Sequence, residues 1–191
     1  MIFREQLAAG LRLPFHPLLV EVINHFGVTI GQLHPNSIRN LVGTISLFCE
    51  QNFPLDLEIF SSILMLKRQA GPLPWGRRAY YLTPRQGFKL LHDLPNKVPA
   101  WKRDYFGVRS AQGWPFQTGW GEAAPDSGVT LDKETVKGLW QWARQGLKCH
   151  HYLTEAKLIV AGLSSSRFLA MRFLACFVPS FFFMSNSFLQ V

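Results

Sequence analysis

Apolar residues recur at helical spacing three times in the first third of the chain. Leu18, Leu19, Val20, Val22, Ile23 and Phe26 predict a helix with Pro17 in its first turn and Gly27 as its stop. Val28-Thr29-Ile30 reads as a short extended connection. Ile38, Leu41, Val42, Ile45, Leu47 and Phe48 then form the broad apolar face of a second helix, entered at His34-Pro35-Asn36 and running to about Phe53. Asp56 is the expected N-cap of a third, lined by Ile59, Phe60, Ile63 and Leu64, with Glu58 favourable near its positive end.

After Lys67 the pattern changes. Gly71-Pro72-Leu73-Pro74-Trp75-Gly76 predicts a loop, because two prolines and two glycines cannot continue a helix. Ala79-Tyr80-Tyr81-Leu82 reads as a strand ended by Pro84, with Asp104-Tyr105-Phe106-Gly107-Val108 as its expected partner. Phe88, Leu90 and Leu91 lie on a short element between them, and Pro95 and Pro99 bound a turn. The predicted class is α+β: a small helical cluster with a short antiparallel sheet, followed by C-terminal helices. Residues 1–110 form the expected domain, and residues 111–131, rich in Gly and Pro with Trp114, Phe116 and Trp120 among them, a linker or flap. Residues 132–163 are a helical segment, with one helix capped by Asp132 and running to about Lys148, and another from Thr154-Glu155 to Gly162.

Residues 164–191 form an apolar tail unlike the rest. From Phe168 onward Arg172 is its only ionic residue, and Phe181-Phe182-Phe183 follows Pro179. Its clean apolar stretch, Phe173 to Met184, is shorter than the roughly 18–20 residues a membrane span needs. The leading expectation is translated intron or non-coding sequence after the real domain; a buried or disordered extension and a membrane anchor are the alternatives.

Charge sharpens the picture. The net +8 is carried entirely between Lys67 and Arg109, where ten basic residues face only Asp93 and Asp104. A local excess of this size points to an anionic partner, against the plainer reading of a solvated face. Cys49, Cys149 and Cys176 are widely spaced and odd in number, which suits a reducing compartment, so an intracellular location, nuclear or cytoplasmic, is favoured over the membrane. Cys149-His150-His151 looks like half a zinc site, but no second cluster stands at ligand spacing. No metal and no cofactor is expected.

Four blocks stand in a fixed order: Gly10-Leu11-Arg12-Leu13-Pro14-Phe15-His16-Pro17, Gln32-Leu33-His34-Pro35-Asn36, Tyr80-Tyr81-Leu82-Thr83-Pro84-Arg85 and Trp101-Lys102-Arg103-Asp104-Tyr105-Phe106-Gly107-Val108. Together they resemble the gypsy-type transposase domain of plant retrotransposon polyproteins and the plant proteins derived from them. The stretch from Tyr152 to Ser164 resembles the downstream region of the same family. Relatives carry a further segment ahead of the first block, so the resemblance implies a truncated product or a fragment of a longer reading frame. It implies origin in a gag-like or transposon polyprotein, and it does not imply catalysis.

An acidic-triad nuclease needs carboxylates converging on two divalent ions. Asp93, Asp104, Asp132 and Glu134 can be nominated, but their contexts suggest no such convergence. No catalytic residue is therefore expected. The two His-Pro pairs, at His16 and His34, read as helix entrances. Gly162-Leu163-Ser164-Ser165-Ser166 holds no nucleophile elbow. What remains is the basic segment, where Lys67, Arg68, Arg77, Arg78, Arg85, Lys102 and Arg103 lie among Trp75, Tyr80, Tyr81 and Trp101. Interleaved cations and aromatics suit nucleic acid, phosphates being neutralised while bases stack. Tyr80 and Tyr81 cannot both point inward on one strand, so one is expected on the surface, and Tyr81 joins the seven cations as a candidate contact. The alternative partner is another protein, including a second copy of this chain.

Overall fold

The computed structural model describes residues 1–72, 78–124, 130–165 and 189–190. Its helices and short sheets make the α+β class, built around one buried helix. That helix, α3 (Pro35–Glu50), follows a short first strand β1 (Ile2–Phe3), α1 (Arg4–Ala8), α2 (Pro17–His25) and a 3-10 turn, Ile30–Gln32. Unlike a surface helix, α3 buries nearly every position from Pro35 to Phe48, its polar Ser37, Asn40, Thr44 and Ser46 included. The helix ends near Glu50 instead of Phe53.

Both His-Pro pairs are helix entrances. His16 Nδ1 accepts the Leu18 amide at 3.2 Å, and His34 Nδ1 accepts the Asn36 amide at 3.0 Å. Each imidazole thus satisfies one of the amides that a first turn leaves without a partner, and the following proline, which has no N–H, removes another. Asp56 caps α4 (Leu57–Ile63) through Ile59 N at 2.8 Å, as expected.

The sheet departs from the expected pairing. The backbone becomes extended at Leu64, where β2 (Leu64–Pro72) begins, and β2 pairs antiparallel with β3 (Arg78–Pro84). The expected partner of β3 lies elsewhere: Tyr105–Phe106, β5, pairs with β1, ahead of Val108–Arg109, β6. Strand β2 escaped the sequence pattern because Lys67 and Arg68 interrupt its apolar alternation beyond Leu66. Of the loop expected at 71–76, Gly71 and Pro72 belong to β2 instead, and residues 73–77 lie outside the described ones.

The other edge of β3 is closed by a single parallel bridge from Leu33 and by side chains of α3. His34 N donates to Tyr80 O at 2.9 Å, Ser37 Oγ accepts Leu82 N at 2.8 Å, and Asn40 Nδ2 donates to Leu82 O at 3.1 Å. One β-bridge, Leu33 beside Tyr80, and two helix side chains thereby occupy the polar groups that a third strand would.

The C-terminal segment joins the same core. After β4 (Leu91–His92), β5 and β6 come α5 (Lys133–Arg144), β7 (Leu147–Lys148), α6 (Cys149–Tyr152) and α7 (Glu155–Val160). Strand β7 pairs in parallel with β4, and α6 and α7 pack on α3. Gly43 permits this closeness: a Cβ there would stand 2.7 Å from Leu91 Cδ1 and 3.5 Å from Cys149 Sγ. Leu139, Cys149, Tyr152, Leu158 and Leu163 share one apolar cluster with Leu41, Phe48 and Phe60, so the core runs across the boundary drawn at residue 110. Asp132 caps α5 through Glu134 N and Thr135 N, and the helix stops two residues before Gly146, whose φ is +65°. Beyond residue 165 only Leu189–Gln190, β8, is described, in parallel with β6, so the tail expectations lie almost wholly outside the described residues. Among the described residues no helix is long and apolar enough to cross a membrane.

Candidate nucleic-acid interface

The β2–β3 hairpin presents its cations through register. Leu66 stands opposite Leu82 facing the core, so the next pair along, Lys67 opposite Tyr81, faces outward. Tyr80 is buried, with its hydroxyl accepting Ala123 N at 3.0 Å, whereas Tyr81 is 36% exposed. Alternation thus divides the two tyrosines as the sequence requires. Lys67 and Arg68 are exposed, and neither enters an ion pair among the described residues.

The remaining candidates have structural engagements. Arg78 pairs with Glu122 of the flap. Arg85 donates through Nε to Ser61 O at 2.9 Å, while its own amide bonds Ile63 O at 2.9 Å. It therefore serves the last turn of α4, where carbonyls lack helical partners. Arg103 lies 3.4 Å from Asp104. Lys102 rests over the Trp101 ring, 5.3 Å from its centroid, and burial lowers its pKa. Arg77, with Trp75, lies outside the described residues.

Trp101 anchors a second, smaller apolar cluster with Phe3 and Ala79, and Trp120 and Met1 pack against it. Its ring meets Phe3 edge-on at 5.0 Å and His34 at 5.5 Å. Desolvation there, reinforced by the charges of Arg39 and Lys102, lowers the His34 pKa to about 4. The imidazole is therefore neutral at pH 7, as its acceptor role requires.

The nominated carboxylates do not converge. Asp93 lies 4.0 Å from Lys148, Asp104 pairs with Arg4 and Arg103, and Asp132 serves as an N-cap. Among the described residues no group of three or more His, Cys, Asp or Glu is placed to hold a metal ion. Cys149 is buried, its thiol reaching Arg39 O at 3.7 Å and its pKa raised to about 11 by desolvation, while His150 and His151 are exposed.

Two glutamines that the sequence did not single out organise the junction. Buried Gln6 accepts Phe3 N at 2.9 Å and donates to Ile30 O and Leu33 O at 2.6 and 2.7 Å. Buried Gln32 accepts Thr29 N at 3.0 Å and donates to Gly121 O at 2.9 Å and Arg78 O at 3.3 Å. A buried amide with its donors and acceptor all engaged fixes the segments it joins. Gln32 thus ties the hairpin to the flap. Its place in the second sequence block was the one available signal.

The flap is fastened further by Asn24 Nδ2 to Pro115 O at 3.0 Å and by Ala124 N to Phe26 O at 2.8 Å. On it, Trp114 and Phe116 lie 5.4 Å apart, each 5.6 Å from Phe15 of the first block. These rings, with Trp120, Thr29 and Thr118, line a cavity of about 110 Å³ floored by Ile2 and Ile30.

With this geometry in place, comparison with known proteins gives one family. Residues 1–68 match the model described as "Putative gypsy type transposon". The matching stretch contains the first two sequence blocks and ends at Arg68 inside β2. No curated protein and no solved structure matches the chain.

Proposed function

We propose that this is a non-catalytic, retroelement-derived module that binds nucleic acid through the β2–β3 hairpin, with Lys67 and Tyr81 on its outward face and the adjoining exposed Arg68 at its rim. The observation that carries the reading is exposed Lys67, free of ion pairs among the described residues, standing opposite the exposed Tyr81 ring across the strand register, with exposed Arg68 next to it along β2. Phosphates neutralised there release counterions, and Tyr81 offers a face to a base. Arg78, Arg85 and Arg103, already engaged, contribute less.

Titration of the chain with nucleic acid at several salt concentrations tests this. Binding should weaken as salt rises. Lys67→Ala with Arg68→Ala should flatten the log–log slope by about 0.7–0.9 for each phosphate no longer neutralised, alike across sequences. Absence of salt-sensitive binding at low ionic strength overturns the reading. Self-association is then the alternative, with exposed Tyr105 and Phe106 as its surface, and sedimentation of the chain reads it out.

A further inference from the structure

We propose that the outward face of α5 is a second nucleic-acid site, where Trp140 stacks on an unpaired base between phosphates held by Lys137 and Arg144. The proposal rests on the nucleic-acid reading above for its ligand class, and it uses residues of a different element. At 3.6 residues per turn, Lys133, Lys137, Trp140 and Arg144 fall within an arc of about 60° along α5. All four are exposed, Trp140 by 47%, and none of the three cations enters an ion pair among the described residues. Asp132 is occupied as the N-cap, and Glu134 lies beside the stripe, about 60° around the helix from Lys137. Along the sequence these two carboxylates sit among the cations and hide the excess. Winding the helix gathers the cations on one side.

The opposite side of α5 faces the core. Leu139 is buried there, and Trp142 meets Phe48 and Phe53 edge-on at 5.1 and 5.5 Å. The helix therefore has no free apolar face to lay into a lipid surface, and what it offers is a cationic stripe with one aromatic ring. Trp140 is held in place. Its indole lies against the turn at Gly87, where a Cβ would stand 3.2 Å from Nε1, and its ring is tilted 35° to that of Phe88 at 6.3 Å. A ring seated along one edge and open elsewhere loses little freedom when a base stacks on it. Lys137 and Arg144 stand about one turn to either side, so their side chains reach phosphates flanking that base. Neutralised phosphates and a stacked base are the two components of single-strand binding. In a duplex each base is already stacked on both faces, so Trp140 favours single strands.

The test compares a short oligothymidylate with an abasic strand of equal length, which keeps the phosphates and lacks the bases. Trp140→Leu should weaken oligothymidylate binding about five- to a hundred-fold and leave abasic-strand binding unchanged. The wild-type preference for the oligothymidylate should shrink in this variant without vanishing, because Tyr81 keeps its own base contact. Lys137→Ala with Arg144→Ala should flatten the log–log salt slope on either strand by about 0.7 for each phosphate released, in addition to the loss from Lys67→Ala with Arg68→Ala. Wild-type affinities in the α5 variants, with weakened binding in the hairpin variant, overturn the α5 site while the hairpin reading stands. The converse result upholds the α5 site and overturns the hairpin. Equal weakening on both strands in Trp140→Leu overturns the stacked base. Binding to neither strand, with or without binding to phosphatidylserine vesicles, overturns both sites. Should Trp140→Leu fail to fold by circular dichroism, the variant lacking exposed Lys137 and Arg144 still decides.

Discussion

Arg12, in the first sequence block, reaches Glu155 at the start of α7, with Nη2 2.8 Å from Oε2 and both side chains about nine-tenths buried. The same guanidinium donates through Nη1 to Leu7 O and Leu11 O at 3.0 Å each, and Ser164 Oγ bonds the other carboxylate oxygen. The two residues are 143 positions apart, and their pair clamps the C-terminal helices to the beginning of the chain.

Breaking one side of a buried pair leaves the other charge uncompensated. Arg12→Met or Glu155→Leu should each cost about 3–5 kcal/mol, whereas Arg12→Met with Glu155→Leu should cost far less than the sum. Urea denaturation of the four chains measures the coupling, and strictly additive losses would refute the clamp.

Neutral His34 caps α3, so the folded chain takes up this proton less readily than the unfolded chain, whose imidazole has a pKa of about 6.5. The stabilisation is complete above pH 6.5 and is lost on acidification toward about pH 4, at no more than about 1.4 kcal/mol per pH unit. His34→Asn keeps a capping acceptor without a titrating group and should flatten the stability profile in that window. Parallel profiles for the two chains would show that His34 does not set it.

Ser37 holds the amide of Leu82 at the closed edge of β3. Ser37→Ala leaves that buried amide without its acceptor, which should cost about 1–3 kcal/mol and speed hydrogen exchange at Leu82 more than at Leu66. Unchanged protection at Leu82 would count against the helix as its edge partner.

The shared core makes a prediction about truncation. Residues 1–110 alone would expose the α3 surface that Cys149, Tyr152 and Leu158 cover, so this fragment should lose its cooperative thermal transition while residues 1–165 retain one. A sharp, equally stable transition in the shorter fragment would show that the N-terminal elements suffice.

Local rules made much of this legible in advance. The helix entrances at His16, His34, Asp56 and Asp132 follow from capping chemistry within a few residues, and the division of Tyr80 from Tyr81 follows from strand alternation. The clustered charge was visible as well, though not which cations would be spent on internal contacts. Arg85 and Arg78 look like Lys67 and Arg68 in sequence, and only the nearness of Ser61 and Glu122 separates them. Strand pairing was not legible either. Tyr105–Phe106 pairs with β1 instead of β3, and Leu64 to Arg68, where no strand was expected, takes its place beside β3, because register depends on which buried surfaces meet, and those surfaces are far apart along the chain. The Arg12–Glu155 clamp, the Gln32 bridge and the aromatic cavity are of the same kind. Each joins residues whose proximity is created by packing around α3, and no local preference of the chain encodes it.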